Sequence, residues 1–169
     1  MSAATKKIVF DSHAILKWTQ MESGYKKVKS LLKACQDGTS TGFISQINLG
    51  EVYYKSIRAV GIERARQFLD NFERLPLTIL VPDRDLIWKA SEFKAEFSIS
   101  YADCFAVATA MELGAQIVYR DAYLPDEKDF KTIITKARDA APDGLALMSY
   151  YTDAALIAQQ ARAQGMNTT

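Results

Sequence analysis

The sequence predicts an α/β fold, a three-layer α/β/α sandwich around a central, mostly parallel sheet of four to five strands. Three observations support this prediction. Short apolar runs recur along the chain, amphipathic helical segments lie between them in pairs, and 169 residues suffice for a domain with a sizeable core. Because parallel strands need crossover connections, the paired helices supply the connections that such a sheet requires.

The strands are predicted from short apolar runs bounded by turn signals, taken in chain order. Four of them cover residues 6–10, 42–45, 77–81 and 116–119, and a fifth, at the sheet edge, covers 130–134. The second strand is expected to be short and central. Helices separate the first four strands, which favours parallel pairing and a sheet covered on both faces.

The helices are predicted where apolar residues recur three and four positions apart. They cover residues 14–18, 25–35, 47–60, 62–75, 86–97 and 100–113, with a further alanine- and glutamine-rich helix over 154–165. We expect Ser12 to cap the first helix, Asp83 to cap the fifth, and Gly61 to end the third. Since the pattern weakens late in the chain, we expect a domain of residues 1–134 and a C-terminal appendage, residues 135–169, that is partly helical or flexible.

Composition narrows the class of protein. The formal net charge of +1 argues against a strong non-specific grip on nucleic acid. Cys35 and Cys104 form neither a disulfide framework nor a Cys-x-x-Cys zinc motif, which favours a reducing cytoplasm. The polar start and the absence of a long apolar run predict neither a secretory signal nor a membrane span.

Four carboxylates lie where a predicted strand ends or a predicted helix begins. Asp11 follows the first strand, Glu51 and Asp103 lie near the starts of two helices, and Asp121 closes the fourth strand. In parallel sheets, sites form at the carboxyl ends of the strands. The four acids are therefore expected at the same edge of the sheet.

Each of these acids also has a structural interpretation. Asp11 could cap the first helix, and the fourth acid could simply begin a loop. The pair Ser100 and Asp103, and more loosely the pair Asn48 and Glu51, have the spacing of a capping box. Taken singly, none of the acids decides between a structural and a chemical role.

Taken together, the acids favour a metal site. Two carboxylates ~4 Å apart repel each other by roughly 4 kcal/mol at an effective dielectric of 20, and a divalent cation reverses that balance. Ligands that are all oxygen suit Mg²⁺ or Mn²⁺ better than zinc. Such an ion can activate water and neutralise charge on a phosphate, so the pattern indicates hydrolysis of a phosphodiester.

The segments that carry the acids resemble those of PIN-domain nucleases and, in size and layout, the VapC-type toxins of bacterial toxin–antitoxin pairs. They are IVFDSHAIL (8–16), ISQINLGEVYY (44–54), SYADCFAVATA (100–110) and IVYRD (117–121). The resemblance implies an endoribonuclease that depends on Mg²⁺ or Mn²⁺. Asp11, Glu51 and Asp103 would hold the principal ion and Asp121 would complete the site. It also implies an RNA substrate, a cognate antitoxin that masks the site, and a homodimer.

The chain departs from the family pattern in three places. His13 stands where a small hydroxyl or amide residue is usual, and Tyr119 stands where threonine is frequent. The loop after Asp121 is longer than usual, so Asp126 or Asp129 could take its place as the fourth acid.

Three polar residues near the acids are candidates for binding substrate or supporting a metal ligand: Ser12, Ser45 and Asn48. Asn48 could equally be a helix cap. His13, the only histidine, is either a proton donor beside Asp11 or a helix residue without chemical consequence.

Two other functions compete with the nuclease. A catalytically degenerate PIN module would bind RNA or a protein partner without cutting, and the residues at positions 13 and 119 motivate that alternative. A phosphotransfer enzyme with Asp11 as nucleophile is the other. It is disfavoured because haloacid-type phosphotransferases carry a second aspartate where this chain has His13.

Overall fold

The computed structural model describes residues 5–115, 118, 123, 127–142 and 151–166. The chain divides into two compact units, Met1–Ala115 and Gln116–Thr169. Within the described residues no helix is long and apolar enough to cross a membrane.

The first unit is built around a parallel sheet. Its strands, in the spatial order β1-β2-β3, are Lys6–Phe10 (β1), Ser40–Ser45 (β2) and Leu77–Leu80 (β3). In the register of the sheet, Phe10 lies beside Ile44, and Ser45 lies beside Leu80. The first three predicted strands and the central position of the second are thus confirmed, although β2 begins two residues earlier than predicted.

Pairs of helices connect the strands, as the pattern predicted. The helices of this unit are Ser12–Thr19 (α1), Tyr25–Gln36 (α2), Gln46–Val60 (α3), Ile62–Phe72 (α4), Arg84–Glu96 (α5) and Tyr101–Glu112 (α6). α1 and α2 link β1 to β2, while α3 and α4 link β2 to β3. Helices α2, α3 and α6 pack against the sheet, which confirms the predicted α/β sandwich.

The core of this unit lies between the sheet and the helices. Its most buried side chains include Phe10, Ile15, Ile44, Val52 and Phe72. Apolar runs at the strand ends and apolar helix faces meet there, and this burial is the main stabilising term of such a fold.

The helix caps confirm four predictions, including the alternative that Asp11 caps α1, and correct two others. Asp83 caps α5, since its carboxylate accepts a hydrogen bond from the Leu86 amide at 2.9 Å, and Gly61 ends α3. Ser12 was wrongly predicted as the cap of α1. The cap is Asp11, which keeps the extended backbone of β1 and thereby brings its carboxylate within 2.6 Å of the Ala14 amide.

The second correction concerns the capping box predicted around Glu51. Ser45, at the end of β2, caps α3 by accepting a hydrogen bond from the Ile47 amide at 3.3 Å. Asn48 already lies inside the helix, so it is not the cap. At α6 the predicted cap is confirmed, because Ser100 accepts a hydrogen bond from the Asp103 amide at 3.1 Å.

The second unit contains two described helices, Lys131–Asp139 (α7) and Tyr151–Ala163 (α8). The predicted edge strand over residues 130–134 is wrong, because that segment enters α7. Phe130, Ile134 and Ala137 are buried in one cluster, and their spacing of four and three is helical rather than alternating. The helix predicted over residues 154–165 is confirmed as α8.

Two predictions about chain organisation are not decided by these elements. The fourth strand, residues 116–119, lies outside the described residues except for Val118. The domain boundary after Ile134 stays a prediction, although Ile134 and Ala137 belong to the same helix and to the same buried cluster.

Candidate active site

Chain topology brings three of the predicted acids to neighbouring places. Asp11 comes directly after β1, Glu51 lies in the second turn of α3, which begins at the end of β2, and Asp103 lies in the first turn of α6. Because β1 and β2 are parallel, their carboxyl ends share one edge of the sheet. α6 packs against α3 and against both of these strands.

Two side-chain hydrogen bonds join the segments that carry these acids. The Ser12 hydroxyl, one residue after Asp11, donates to Glu51 Oε2 at 2.5 Å. The Asn48 amide donates from Nδ2 to the carbonyl of Ala102 at 3.0 Å. Since Ala102 directly precedes the third acid, α3 contacts the starts of both α1 and α6 through polar groups.

The carboxylate of Glu51 is engaged on both oxygens. Lys55 Nζ lies 2.8 Å from Oε1, and the Tyr54 hydroxyl donates to the same oxygen at 3.3 Å. Burial alone raises the pKa of Glu51, but the hydrogen bonds from Lys55 and Ser12, the charge of Lys55 and the bond from Tyr54 bring it below its ordinary value. The site therefore holds this carboxylate in its charged form.

The pKa of Lys55 is shifted by the same surroundings. Burial by itself lowers the pKa of Lys55, but the hydrogen bond to Glu51 and its charge, followed by smaller contributions from Tyr54 and Asp103, raise the pKa above its ordinary value. The ammonium of Lys55 is thus held in its charged form beside Glu51.

The polar residues that were predicted to contact substrate are all buried. Ser12, Ser45 and Asn48 are 2%, 0% and 0% exposed, and their side chains contact other groups of the protein. The prediction of direct substrate contacts stays a prediction. The prediction that they support the acids is compatible with these contacts.

The donor set suits a hard divalent ion, but its grouping in the described residues is incomplete. Asp11, Glu51 and Asp103 offer oxygen ligands only, and Asn48 Oδ1 is a buried oxygen without a hydrogen-bond partner in the described part of the chain. Yet no three His, Cys, Asp or Glu side chains among the described residues are grouped closely enough to hold an ion. One of the three acids, Glu51, is instead paired with Lys55.

The identity of the fourth acid stays a prediction. Asp121 and Asp126 lie outside the described residues, as does Tyr119. Asp129 is described and exposed, and its carboxylate accepts a hydrogen bond from the Lys131 amide at 3.1 Å. His13 is exposed in the first turn of α1, which leaves both interpretations of it open.

Sequence reasoning missed Lys55 as a member of the site. The signal was available, because Glu51 and Lys55 have the spacing of four that places side chains on the same helical face. Tyr54 is 42% exposed and contacts Glu51 through its hydroxyl. Its ring also lies beneath Arg58, whose guanidinium carbon is 5.0 Å from the ring centre.

Comparison with known proteins identifies the class of protein that this fold and this arrangement of acids define. The PIN domain family matches residues 8–131, and the chain therefore belongs to that family. The match begins in β1 and extends beyond α6, so it includes all of the segments that carry the predicted acids.

A solved structure of similar fold is that of VapC20 from Mycobacterium tuberculosis, described as a Sarcin-Ricin loop cleaving toxin. The two share 18% sequence identity with a TM-score of 0.52, and the likeness covers 66% of this chain and 85% of that one. No curated protein matches the sequence.

Proposed function

We propose that this protein is an endoribonuclease that depends on a divalent metal ion and hydrolyses RNA phosphodiester bonds. One observation carries the proposal. In a chain of the PIN domain family, the hydrogen bonds from Ser12 to Glu51 and from Asn48 to Ala102 hold together the three segments that bear carboxylates. Carboxylates on segments joined in this way repel one another when they approach, and a bound cation would offset that repulsion.

The roles of the residues follow from their contacts. Asp11, Glu51 and Asp103 would hold an Mg²⁺ or Mn²⁺ ion, with Asp121 as the proposed fourth acid. Such an ion, when bound, supplies water activation and neutralises charge on the phosphate. Ser12 orients the Glu51 carboxylate through the bond to Oε2. Its hydroxyl is buried, which keeps bulk water from competing for that oxygen.

Asn48 has a comparable role at the start of α6. Its Nδ2 group binds the Ala102 carbonyl and so fixes the helix turn that contains Asp103. Ser45 caps α3 at the end of β2 and fixes the start of the helix that carries Glu51. We assign both residues to positioning the acids rather than to contact with RNA.

We further propose that the protein is the toxin of a toxin–antitoxin pair. The membership in the PIN domain family and the likeness in fold to a toxin of M. tuberculosis support this proposal. The partners would be an RNA substrate, a cognate antitoxin that covers the acids, and a second copy of the chain. Cys35 and Cys104 are free and buried, as suits a reducing cytoplasm.

A second function is favoured by one specific observation. The ion pair between Lys55 and Glu51 occupies a carboxylate that a metal site would need, as expected of a degenerate PIN module that binds RNA or a protein partner without cutting. The two functions differ in metal binding and hydrolysis. A degenerate module would bind RNA equally well with and without Mn²⁺ and leave it intact.

The substitution Asp103→Asn tests the nuclease proposal. It keeps the size of the side chain and removes its charge. We expect cleavage of a mixed RNA substrate in Mg²⁺ or Mn²⁺ to fall by about 10²- to 10³-fold, as when one preorganised electrostatic group is lost. Asp70→Asn is the matched control, because Asp70 is an exposed residue of α4. It should cleave at the unaltered rate.

Circular dichroism and thermal melting establish that both variants are folded. Cleavage by Asp103→Asn at the rate of the unaltered protein would contradict the catalytic assignment. An unaltered protein that binds RNA but leaves it intact in every metal would favour the binding module.

A further inference from the structure

A further inference starts from the ion pair between Lys55 and Glu51 on α3. The Lys55 ammonium lies 2.8 Å from Glu51 Oε1, and the side chains are 41% and 13% exposed. A second pair with the same spacing of four, Lys33 and Asp37, is 2.9 Å long but 70% and 48% exposed. Fully solvated pairs contribute little, whereas a shielded carboxylate depends more strongly on its counter-ion.

Three donor groups contact the carboxylate of Glu51. The Oε2 oxygen is held by Ser12, and Oε1 receives Tyr54 and the lysine. Of these three donors only Lys55 carries a positive charge. The ammonium therefore supplies to this carboxylate the positive charge that a divalent ion would otherwise provide.

We propose that Lys55 is an internal counter-ion that competes with the divalent metal ion for Glu51 and thereby sets the metal affinity of the site. This inference rests on the proposed function. An ion that binds Glu51 must displace the ammonium from Oε1, and Lys55 can leave because it lies on a flexible four-carbon stem and is partly exposed.

We predict that removing the charge of Lys55 increases the affinity of the site for Mn²⁺. In Lys55→Met the side chain keeps much of its length but loses its charge, so Glu51 is free to bind an ion and the repulsion between two cations disappears. We expect Mn²⁺ to bind about 10-fold more tightly, which corresponds to ~1.4 kcal/mol. Damage to the fold would weaken binding instead, so the direction of the change separates the proposed role from a merely structural one.

The experiment titrates Mn²⁺ alone into the full chain, by calorimetry and by the electron paramagnetic resonance signal of the free ion. Lys33→Met is the matched control, since it removes the same charge from the exposed pair with Asp37. Lys55→Arg keeps the charge beside Glu51 and should bind Mn²⁺ no more tightly than the unaltered protein. Tyr54→Phe removes an uncharged donor to the same oxygen and should change the affinity by less than Lys55→Met does.

The inference is overturned if Lys55→Met binds Mn²⁺ with unchanged or lower affinity, or if Lys33→Met produces the same gain. Glu51→Gln separates this failure from failure of the proposed function. If Mn²⁺ binds the unaltered protein and Glu51→Gln abolishes that binding, an unchanged affinity of Lys55→Met removes only the role of the lysine. If the unaltered protein binds no Mn²⁺, the proposed metal site and the counter-ion role both fail.

Discussion

The described residues of the first unit, 5–115, bury their apolar side chains between a three-stranded sheet and paired helices, whereas the described part of residues 116–169 has two helices with a small core of their own. The helices and strands of the first unit follow from the spacing of apolar residues, which can be read directly from the sequence. The second unit combines a small apolar cluster with polar contacts to the start of α7. The six buried side chains of the cluster are Phe130, Ile134, Ala137, Ile157, Ala161 and Met166. The comparison teaches that a short apolar run is informative only when the surrounding pattern fixes its period.

The polar contacts to the start of α7 come from two glutamines, Gln160 in α8 and Gln164 directly after it. Gln160 accepts a hydrogen bond from the Phe130 amide at 2.8 Å through Oε1 and donates to the Lys128 carbonyl at 2.8 Å through Nε2. Gln164 Oε1 accepts from the Thr135 hydroxyl at 2.9 Å. Because Phe130, at the cap position of α7, has no side-chain cap of its own, Gln160 satisfies that helix start from a distance of 30 residues in sequence.

The largest effect is expected from Phe130→Ala. The ring is fully buried and packs edge-to-face on Tyr123, with centroids 4.9 Å apart. Truncating a buried phenylalanine costs about 3–5 kcal/mol, more than so small a core can lose without unfolding. In hydrogen exchange, the amides of α7 and α8 should lose protection while those of β1 and β2 keep it.

The matched control is Phe105→Ala, which truncates a fully buried ring in α6 of the first unit. In this variant the amides of β1 and β2 should lose protection from hydrogen exchange, while those of α7 and α8 keep it. Equal loss of protection in both units by either variant would contradict the view that each unit has a core of its own.

The next effect comes from two glycines of the first unit. A Cβ at Gly42, in the central strand, would meet the Leu77 side chain and would lie 2.9 Å from Cys35 Sγ, whereas nothing lies within 4 Å of a Cβ at Gly50 in α3. Gly42→Ala should lower the free energy of unfolding by about 1–3 kcal/mol through overpacking. Gly50→Ala should raise it by about 0.5–1 kcal/mol, since alanine favours the helix. Denaturant titration measures both, and an unchanged or higher free energy of unfolding for Gly42→Ala would show that the strand tolerates the side chain.

Much of the first unit could be predicted because each of its segments has a consistent local signal. The run before Asp11 is apolar and ends in a helix cap, and Gly61 ends a helix whose apolar period is 3.6. The segment that begins at Phe130 lacked such consistency. Its apolar residues suit a strand when taken alone, and only partners on α8, far along the sequence, decide in favour of a helix.

The candidate site was predictable to a different extent. The positions of Asp11, Glu51 and Asp103 relative to strand ends and helix starts follow from topology, so neighbouring placement was expected. The orientation of each carboxylate was not, because it depends on individual hydrogen bonds. Ser12 was expected to cap a helix and instead holds Glu51, and Lys55, which pairs with that carboxylate, went unnoticed on the same helix.

The smallest effect tests the polar contacts of the second unit. Gln160→Met keeps the length of the side chain but leaves the Phe130 amide and the Lys128 carbonyl without their partner. Phe130 is buried and Lys128 is exposed, so water can replace the partner of the carbonyl but not that of the amide. The loss should be about 1 kcal/mol, at the low end for a buried group left without its hydrogen bond. Gln159→Met makes the same change at an exposed neighbour on α8 and should leave the melting temperature unaltered. If both variants melt alike, the glutamine contacts do not stabilise the start of α7, and its apolar cluster alone would account for the helix.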